Sequence, residues 1–459
     1  MKSRFLELSG SRPIDFHGAI TLPPSKSYLH RALFVSALCS GPSRIKNCGS
    51  IFSDDVQASI ETLESFGVKI KKFRKGSNTE LKVYPKPLST PKKQIFAHES
   101  GTTARFAIAF ASTIKDGKGT VISGDSSLLK RPMKPLLDAL SQIGVVCHSK
   151  NSGRLPVVVQ SKGIKGGKCN LQPSISSQFV SALLIASTKS VEKVTIEIMN
   201  SRKMVSMPYI RATLTVLRHF GFSINERQLE SSLLFDVEPS QIRHGGTFVV
   251  PGDMSSGSAL IGAAISSKGR VHLRGVNLEV PQADSLFLSI VEEFGARVYR
   301  TNHSIVVHSQ DEHSEKILDF DLKDAPDIVP IIAGLAAATR KNVTIRNVGH
   351  LRYKESDRLS AISKELGKIG VKVIEREKAL TIKPKKIERQ NRGMMTTTVL
   401  NSYNDHRILM ALTVAGISGR FGKMLISNPS CVDKSYPSFI ADLRKLTSEP
   451  IVSIVEKKI

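Results

Sequence analysis

A repeat of about 75 residues constrains the fold of this 459-residue chain more than any other feature of its sequence. An amphipathic stretch that ends in Phe-Gly or Ile-Gly and is followed by a β-rich run recurs at Gly67, Gly144, Gly221, Gly295 and Gly370. Glycine just past the last helical turn adopts the left-handed conformation that ends many helices. A period of this length corresponds to a folded subunit of helices and strands. The sequence therefore predicts one α+β unit copied about six times.

A second pattern, out of phase with the first, predicts a buried helix in every unit. Polar clusters lead directly into small apolar segments, namely PSKSYLHRALFVSAL, ESGTTARFAIAFAS, PSISSQFVSALLIAS, GDMSSGSALIGAAI, DAPDIVPIIAGLAAA and YNDHRILMALTVAG. Ser, Thr, Asp or Asn at the start caps free helix N–H groups, and apolar residues on nearly every face indicate burial all round. Each unit is expected to combine one buried helix, one amphipathic helix and several short strands.

Composition narrows the class of protein. No uncharged apolar stretch approaches about 18 residues and no signal-like core follows the first methionine, which predicts a cytoplasmic protein without membrane contact. The five cysteines are scattered and the twelve histidines lack metal spacing, which predicts reduced thiols and no metal site. The net charge of +26 fits a solvated basic surface, nucleic-acid binding or a polyanionic small substrate, and charge alone does not decide among them.

Cations occupy the predicted N-termini of buried helices, where the helix dipole disfavours them unless an anion binds there. Lys26 and Arg31 flank the first start, Arg105 belongs to the second, and Arg407 with His406 begins the sixth. Helix N-termini bind phosphates and carboxylates, and arginine adds bidentate hydrogen bonds. P-loop, dinucleotide-binding and nucleophile-elbow motifs are missing from the sequence. We therefore expect a site for two anionic small molecules with acid–base chemistry between them.

The remaining candidate groups lie in four further clusters and at two acidic positions. The binding candidates are Lys130, Arg131, Ser176, Ser177, Gln178, Arg352, Lys354, Arg358 and Lys434. Lys354 and Arg358 are expected on one helical face beside Glu355, and Lys434 is equally compatible with an ordinary loop lysine. Asp327 is expected to cap an apolar helix, to act in catalysis, or both. Glu355 is surrounded by cations and is a candidate general acid–base, although a lone helical glutamate is usually a surface residue.

In order along the chain, seven motifs resemble those of the enolpyruvyl transferases: LPPSKSYLHRA, SGTTAR, RPMKPLLDAL, SISSQF, the Pro-Asp of DAPDIVP, RYKESDR and NDHR. The resemblance extends along the whole chain and is closest to the branch of the family that acts on 3-phosphoshikimate. It implies an α+β (α/β) fold, a two-domain inside-out α/β barrel of βαβαββ units, three per domain, with buried helices. Domain one would comprise residues 1–22 plus 250–459, and domain two residues 23–249.

The resemblance also implies a reaction. The enolpyruvyl group of phosphoenolpyruvate would pass to the 5-hydroxyl of 3-phosphoshikimate, with release of phosphate, by addition–elimination through a tetrahedral intermediate. This step of the shikimate pathway of aromatic amino-acid biosynthesis would need no metal or organic cofactor, and the protein would be a monomer that binds no nucleic acid. Asp327 would accept the proton of the attacking hydroxyl, Glu355 would protonate the methylene carbon, and Lys26 would stabilise the shifting charge.

The substrate contacts implied by the resemblance fall into two sets. For 3-phosphoshikimate they are Lys26, Ser27, Arg31, Ser176, Ser177, Gln178, Ser206, Tyr209, Asp327 and Lys354. For phosphoenolpyruvate they are Lys26, Gly101, Arg131, Gln178, Arg358, Arg407 and Lys434. The chain departs from the usual family pattern at Glu99, Phe106 and His350, and a carboxylate at Glu99 is expected to point away from the site or to pair with an arginine. Retention of Gly101 predicts sensitivity to glyphosate, which occupies the phosphoenolpyruvate site in this family.

Two other functions are compatible with parts of the sequence. The sister enzyme that acts on UDP-N-acetylglucosamine shares the fold and the chemistry, but it usually carries a cysteine in the loop that here has the sequence GDSSLLKRPM. A non-catalytic RNA-binding protein would account for the positive charge and would have no need of Asp327 or Glu355.

Overall fold

The computed structural model describes residues 3–8, 13–76, 78–172, 176–239, 244–310, 317–384, 397–447 and 452–457. These residues fold into two compact units. Unit 1 contains the described parts of 1–23, 252–279 and 283–459, and unit 2 contains those of 24–251 and 280–282. Within the described ranges, no helix combines the length and the apolar character needed to cross a membrane.

Unit 2 consists of three βαβαββ repeats. The first comprises β14 (Thr247–Val249), α1 (Lys26–Ser36), β3 (Ser43–Lys46), α2 (Asp54–Ser65), β4 (Lys69–Lys75) and β5 (Asn78–Tyr84). The second comprises β6 (Ile95–Phe96), α3 (Gly101–Ala111), β7 (Gly119–Ser123), the short α4 (Ser126–Leu129), α5 (Lys134–Gln142), β8 (Val146–Ser149) and β9 (Val157–Gln160). The third comprises β10 (Gly167–Leu171), α6 (Ser177–Ser187), β11 (Val194–Met199), α7 (Met207–His219), β12 (Ile224–Gln228) and β13 (Ser232–Val237).

Unit 1 contains three repeats of the same kind. The first comprises β2 (His17–Thr21), α8 (Met254–Ser266), β15 (Arg270–Arg274), α9 (Phe287–Glu293), β16 (Arg297–Arg300) and β17 (Ser304–His308). The second comprises β18 (Leu318–Asp321), α10 (Val329–Thr339), β19 (Val343–Arg346), α11 (Arg358–Lys368), β20 (Lys372–Arg376) and β21 (Ala379–Lys383). The third comprises β22 (Thr397–Leu400), α12 (His406–Ile417), β23 (Lys423–Ser427), α13 (Phe439–Leu446), β24 (Val452–Lys457) and β1 (Ser3–Leu8).

Each repeat forms a four-stranded sheet with the same strand order. The first strand is parallel to the second, and the fourth lies between the second and the third, antiparallel to both. Two sheets take their first strand from a distant part of the sequence, because β2 pairs with β15 and β14 pairs with β3. The predicted α+β repeat is therefore confirmed, with the chain passing between the units after β2 and after β14.

The apolar helices form the interior of each unit. In unit 1, α8, α10 and α12 pack against one another, and in unit 2, α3 packs against α1 and α6. A Cβ atom on Gly334 of α10 would overlap the main-chain oxygen of Ala411 in α12, so only glycine permits this approach. Because the apolar helices occupy the interior, the amphipathic helices are left with one apolar face to bury.

The five regularly spaced glycines end the amphipathic helices as predicted. Their φ angles lie between +80° and +93°, in the left-handed region that glycine adopts without strain. The apolar helices begin with polar caps in most repeats, since Ser100, Ser176, Asp253 and Asp405 each accept a main-chain N–H bond at a helix start.

Candidate active site

The unit 2 half-site is built around the N-termini of α3 and α6. The guanidinium of Arg105, on the second turn of α3, donates to the side-chain oxygen of Gln178 at the start of α6. The amide of Gln178 donates in turn to Thr102 Oγ1 at 2.9 Å, and the Arg105 guanidinium lies 5.0 Å from the ring centre of Phe179. These contacts bring together a helix N-terminus that the sequence marks with a cation, that of α3, and one that it marks with polar groups, that of α6.

Arg31 connects α1 to the third repeat of unit 2. Its side chain is 2% exposed and donates to the main-chain oxygens of Ser27 at 2.7 Å and Tyr209 at 3.0 Å. Hydroxyl groups accept further bonds, Thr213 Oγ1 at 2.7 Å and Ser181 Oγ at 3.4 Å. Burial lowers the pKa of Arg31 to about 10, since no carboxylate in the described ranges pairs with it. The contacts fix the main chain beside Ser27 and Tyr209, two predicted substrate contacts.

Lys26 is the first residue of α1, and its ammonium group forms an ion pair with Asp55 of α2 at 2.7 Å. Sequence reasoning did not single out Asp55. A buried row of hydroxyls lies beneath this pair, with Ser59 bonded to Thr103 at 2.8 Å and Thr103 to Ser100 at 2.8 Å. The row ties the starts of α2 and α3 together and thereby holds Asp55 opposite Lys26.

Arg131 and Gly101 lie side by side in the second repeat. A Cβ atom on Gly101 would be 3.0 Å from Arg131 Nη1 and 2.9 Å from Arg105 Nη1. Arg131 is 7% exposed, and its Nε and Nη2 atoms are buried without a hydrogen-bond partner among the described residues. Buried N–H groups without an acceptor are rare in folded proteins. Because Gly101 has no side chain to fill the space beside them, a bound ligand is favoured as the missing acceptor.

The remaining predicted contacts of unit 2 lie at helix starts. Ser176 caps α6 through its hydroxyl, which accepts from Gln178 N at 3.2 Å, and Ser177 is buried in the first turn. Ser206 precedes α7 with φ +61° and ψ 36°, a left-handed conformation that is uncommon for a residue with a side chain. Backbone strain of this kind is concentrated at functional sites.

The three residues that depart from the family pattern, Glu99, His350 and Phe106, have different surroundings. Glu99 directly precedes Ser100, the cap of α3, and its carboxylate accepts a hydrogen bond from Ser127 Oγ at 3.3 Å. In unit 1, His350 is 8% exposed, and burial together with the charge of Lys354 lowers its pKa to about 4. A neutral imidazole is therefore expected at this position at physiological pH. The third departure from the family pattern, Phe106, is fully buried and lies 5.8 Å below the Arg31 guanidinium.

The unit 1 half-site is organised around Arg358, the first residue of α11. This buried guanidinium donates to Asp327 at 2.9 Å, to Glu355 at 2.8 Å and to both oxygens of Asp405 at 2.9 and 3.3 Å. Burial opposes its charge, but the three carboxylates together raise the pKa of Arg358 well above its ordinary value. Four of its five N–H groups are thus directed at carboxylates. Asp405 was not among the predicted site residues, although it lies in the NDHR motif and caps α12.

Two local predictions about this cluster are wrong. Asp327 does not cap the apolar helix, because it lies in a 3-10 turn, Pro326–Ile328, and Ile328 precedes α10 without a side-chain cap. Lys354 and Arg358 do not share a helical face, because α11 begins only at Arg358. They converge instead on one carboxylate, with Lys354 Nζ 3.5 Å from Asp327.

Two further cations complete the unit 1 half-site. Arg407 is 3% exposed and donates through Nη1 to the main-chain oxygen of Ser255 at 2.9 Å, while its Nε is buried without a partner in the described part of the chain. Lys434 is 9% exposed, lies at the end of a 3-10 helix and donates to the main-chain oxygen of Asn404 at 2.6 Å. Lys434 is therefore a positioned, mostly buried group rather than an ordinary loop lysine.

Among the residues that the structure describes, no group of three or more His, Cys, Asp and Glu side chains has the arrangement of a metal site. The polar groups instead form two sets, one in each unit. Unit 2 gathers cations, hydroxyls and an amide, and unit 1 gathers cations with three carboxylates. Sets of this composition suit phosphate and carboxylate ligands together with proton transfer.

The chain is similar in sequence and in fold to known proteins. The family model for EPSP synthase (3-phosphoshikimate 1-carboxyvinyltransferase) matches residues 11–443. A protein of that second name from Korarchaeum cryptofilum is 36% identical over 95% of this chain and 97% of its own length. Another protein of that name, from Pyrococcus abyssi, is 37% identical over 97% of this chain and 98% of its own length. In fold, the chain is similar to EPSP synthase from Acinetobacter baumannii, with a TM-score of 0.75 at 22% identity over 99% of this chain and 100% of that one.

The chain therefore belongs to the EPSP synthase (3-phosphoshikimate 1-carboxyvinyltransferase) family. It is an enzyme, a transferase of the shikimate pathway of aromatic amino-acid biosynthesis. The predicted family and the inside-out α/β fold are both confirmed. The UDP-N-acetylglucosamine enzyme and the RNA-binding protein are not favoured by these matches.

Proposed function

We propose that this chain transfers the enolpyruvyl group of phosphoenolpyruvate to the 5-hydroxyl of 3-phosphoshikimate. Asp327 accepts the proton of that hydroxyl as its oxygen attacks C2 of phosphoenolpyruvate. Glu355 delivers a proton to the methylene carbon, which becomes a methyl group in the tetrahedral intermediate. Reversal of the proton transfer at carbon then expels phosphate and leaves the enol ether product.

The observation that carries this proposal is the Arg358 cluster. A single buried guanidinium contacts both carboxylates to which the mechanism assigns a proton, Asp327 at 2.9 Å and Glu355 at 2.8 Å. Two acid–base groups held on one rigid cation have a fixed separation, and fixed geometry is the main requirement for paired proton transfers. Lys354, Arg407 and Lys434 add positive charge for the anionic substrates.

The binding groups of the proposal come from both half-sites, and most of those for 3-phosphoshikimate belong to unit 2. The groups that hold 3-phosphoshikimate are Lys26, Ser27, Arg31, Ser176, Ser177, Gln178, Ser206, Tyr209 and Lys354. Those that hold phosphoenolpyruvate are Lys26, Gly101, Arg131, Gln178, Arg358, Arg407 and Lys434. The unpaired Nε and Nη2 groups of Arg131 support this division, since a phosphate or carboxylate would satisfy both atoms. Lys26 stabilises charge on the reacting phosphate and has Asp55 as its resting partner.

We further propose a cytoplasmic monomer without nucleic-acid partners. All groups of both half-sites come from one chain, which supports a monomer, and the five cysteines are free thiols, which suits a reducing compartment. Sedimentation of the purified enzyme would reveal a larger assembly. Salt-dependent binding to a polynucleotide at assay concentrations would contradict the absence of nucleic acid.

Phosphate release from phosphoenolpyruvate tests the reaction directly. We expect release with 3-phosphoshikimate as acceptor, equimolar formation of the enol ether, and no release with UDP-N-acetylglucosamine. Phosphate release with UDP-N-acetylglucosamine alone would identify the chain as the sister enzyme. No phosphate release with either acceptor would refute the proposed reaction.

A further inference from the structure

Unit 1 contains a buried carboxyl group, that of Asp284, which the proposed mechanism does not use. Asp284 lies in a 3-10 turn, Ala283–Leu286, directly before α9 and is 2% exposed. One carboxyl oxygen accepts a hydrogen bond from Ser255 Oγ. The other, Oδ1, is buried and has no hydrogen-bond partner among the described residues. An isolated buried carboxylate oxygen is unfavourable, so this environment favours the protonated acid.

Ser255 connects Asp284 to Arg407 in the unit 1 half-site. It is the second residue of α8, its hydroxyl donates to Asp284, and its main-chain oxygen accepts from Arg407 Nη1 at 2.9 Å. The Arg407 guanidinium therefore rests on a residue that Asp284 holds from the other side. Arg407 Nε is buried without a described partner, which leaves that edge of the guanidinium available to an anion.

The charged groups that act on Asp284 come from three neighbouring elements. Asp253 caps α8, Asp327 lies in the turn before α10, and Arg407 lies in the first turn of α12. Burial, reinforced by the charges of Asp327 and Asp253, raises the pKa of Asp284 to about 7, while Arg407 and the Ser255 hydrogen bond oppose this shift. The carboxyl group therefore gains or loses its proton near physiological pH.

We propose that Asp284 is a positioning residue for phosphoenolpyruvate binding, which holds Ser255 beneath Arg407 and weakens anion binding at Arg407 whenever it carries a negative charge. Protonated Asp284 leaves the positive charge of Arg407 to the substrate. Ionised Asp284 neutralises part of that charge from behind. The inference rests on the proposed role of Arg407, and it predicts that the KM for phosphoenolpyruvate rises as Asp284 loses its proton.

Steady-state kinetics of wild type and Asp284→Asn test this inference. Asparagine keeps the shape of the side chain and still accepts from Ser255, but it stays neutral at every pH. We expect the ratio of wild-type to variant KM for phosphoenolpyruvate to be near one at about pH 6 and about fivefold or more at about pH 8.5. Because both enzymes use the same substrate, the ratio cancels the ionisation of phosphoenolpyruvate itself, and the kcat ratio should not follow the same curve.

Ser255→Ala provides a second variant with a distinct outcome. Loss of the hydroxyl removes a hydrogen bond that stabilises the ionised carboxylate, so the rise in KM should move to higher pH. Asp442→Asn is the matched control, since Asp442 is also buried in unit 1 and accepts from a serine, Ser438, at 2.7 Å. It should retain the wild-type pH profile of KM.

Two results would overturn the proposal: a wild-type to Asp284→Asn KM ratio that does not change with pH, or the same change in Asp442→Asn. Circular dichroism and the melting temperature show whether each variant is folded. If Asp284→Asn is unfolded, the pH profile of KM in Ser255→Ala tests the proposal instead, and a profile identical to that of wild type would overturn it. Failure of the proposed reaction itself would be recognised separately, as absence of phosphate release by the wild-type enzyme.

Discussion

The two half-sites use buried arginines in opposite ways. In unit 2, Arg31 is bonded to two main-chain oxygens and two hydroxyls, and Arg131 has no ion pair among the described residues. In unit 1, Arg358 contacts three carboxylates. A guanidinium held by neutral groups keeps its charge for a ligand, whereas one surrounded by carboxylates serves to fix those carboxylates. The three carboxylates around Arg358 therefore distinguish unit 1, which combines acid–base groups with anion-binding cations, from the buried arginines of unit 2, which serve anion binding alone.

Removal of the carboxylates should produce the largest effect. We expect Asp327→Asn and Glu355→Gln each to lower kcat by about 10² to 10⁴, because each removes a proton-transfer group while preserving its shape. Single-turnover phosphate release measures the loss, and circular dichroism checks that the fold persists.

Asp319→Asn is the control for these variants. Asp319 lies in β18 of the same repeat and also pairs with an arginine, Arg346 at 2.7 Å, but the pair is exposed. Its kcat should match that of wild type. If Asp327→Asn retained wild-type turnover, unit 1 would no longer be the acid–base half of the site.

Stability should separate the two kinds of arginine. Arg358→Gln leaves Asp327, Glu355 and Asp405 without their shared cation, and loss of one partner from a buried ion pair costs about 3–5 kcal/mol. Arg131→Gln leaves no carboxylate unpaired, so its free energy of unfolding should equal or exceed that of wild type. Urea denaturation of both variants measures the difference.

Kinetics of Arg131→Gln supply the second half of this test. The KM for phosphoenolpyruvate should rise by about tenfold or more, because a charge-assisted contact to the substrate is lost. Equal destabilisation by the two substitutions would contradict the distinction between the half-sites.

The sequence predicted the fold well because the repeat is carried by local signals. Glycines at helix ends and polar caps before apolar runs depend on neighbours a few residues away, so their effects are visible in one segment. The five glycine ends and the apolar helix interiors follow from such signals. The family was recognised for the same reason, since its motifs are short and lie in order along the chain.

The partners of the site residues were harder to predict. Asp55, Asp284 and Asp405 lie 29, 29 and 47 residues from Lys26, Ser255 and Arg358, the groups they contact. Each acidic residue is also an ordinary helix-start residue by sequence, which conceals its second role. Of the three, Asp405 has the clearest signal in the sequence, because it lies in the NDHR motif beside Arg407, a predicted site residue. The proposed roles of the site residues remain predictions until the variants are measured.

The smallest expected effect concerns Gly101, which lies beside the guanidiniums of Arg105 and Arg131 in unit 2. In Gly101→Ala, the new methyl group would lie 2.9 Å from Arg105 Nη1 and 3.0 Å from Arg131 Nη1, so both guanidiniums must shift by a few tenths of an ångström. We expect the KM for phosphoenolpyruvate to rise about two- to fivefold with little change in kcat, since the displaced groups bind rather than transfer protons. Inhibition by glyphosate should weaken in the same variant. Gly367→Ala is the matched control, because its methyl group meets no atom within 4 Å in α11. That variant should keep the wild-type KM, and an unchanged KM in Gly101→Ala as well would contradict the proposed contact between Arg131 and phosphoenolpyruvate.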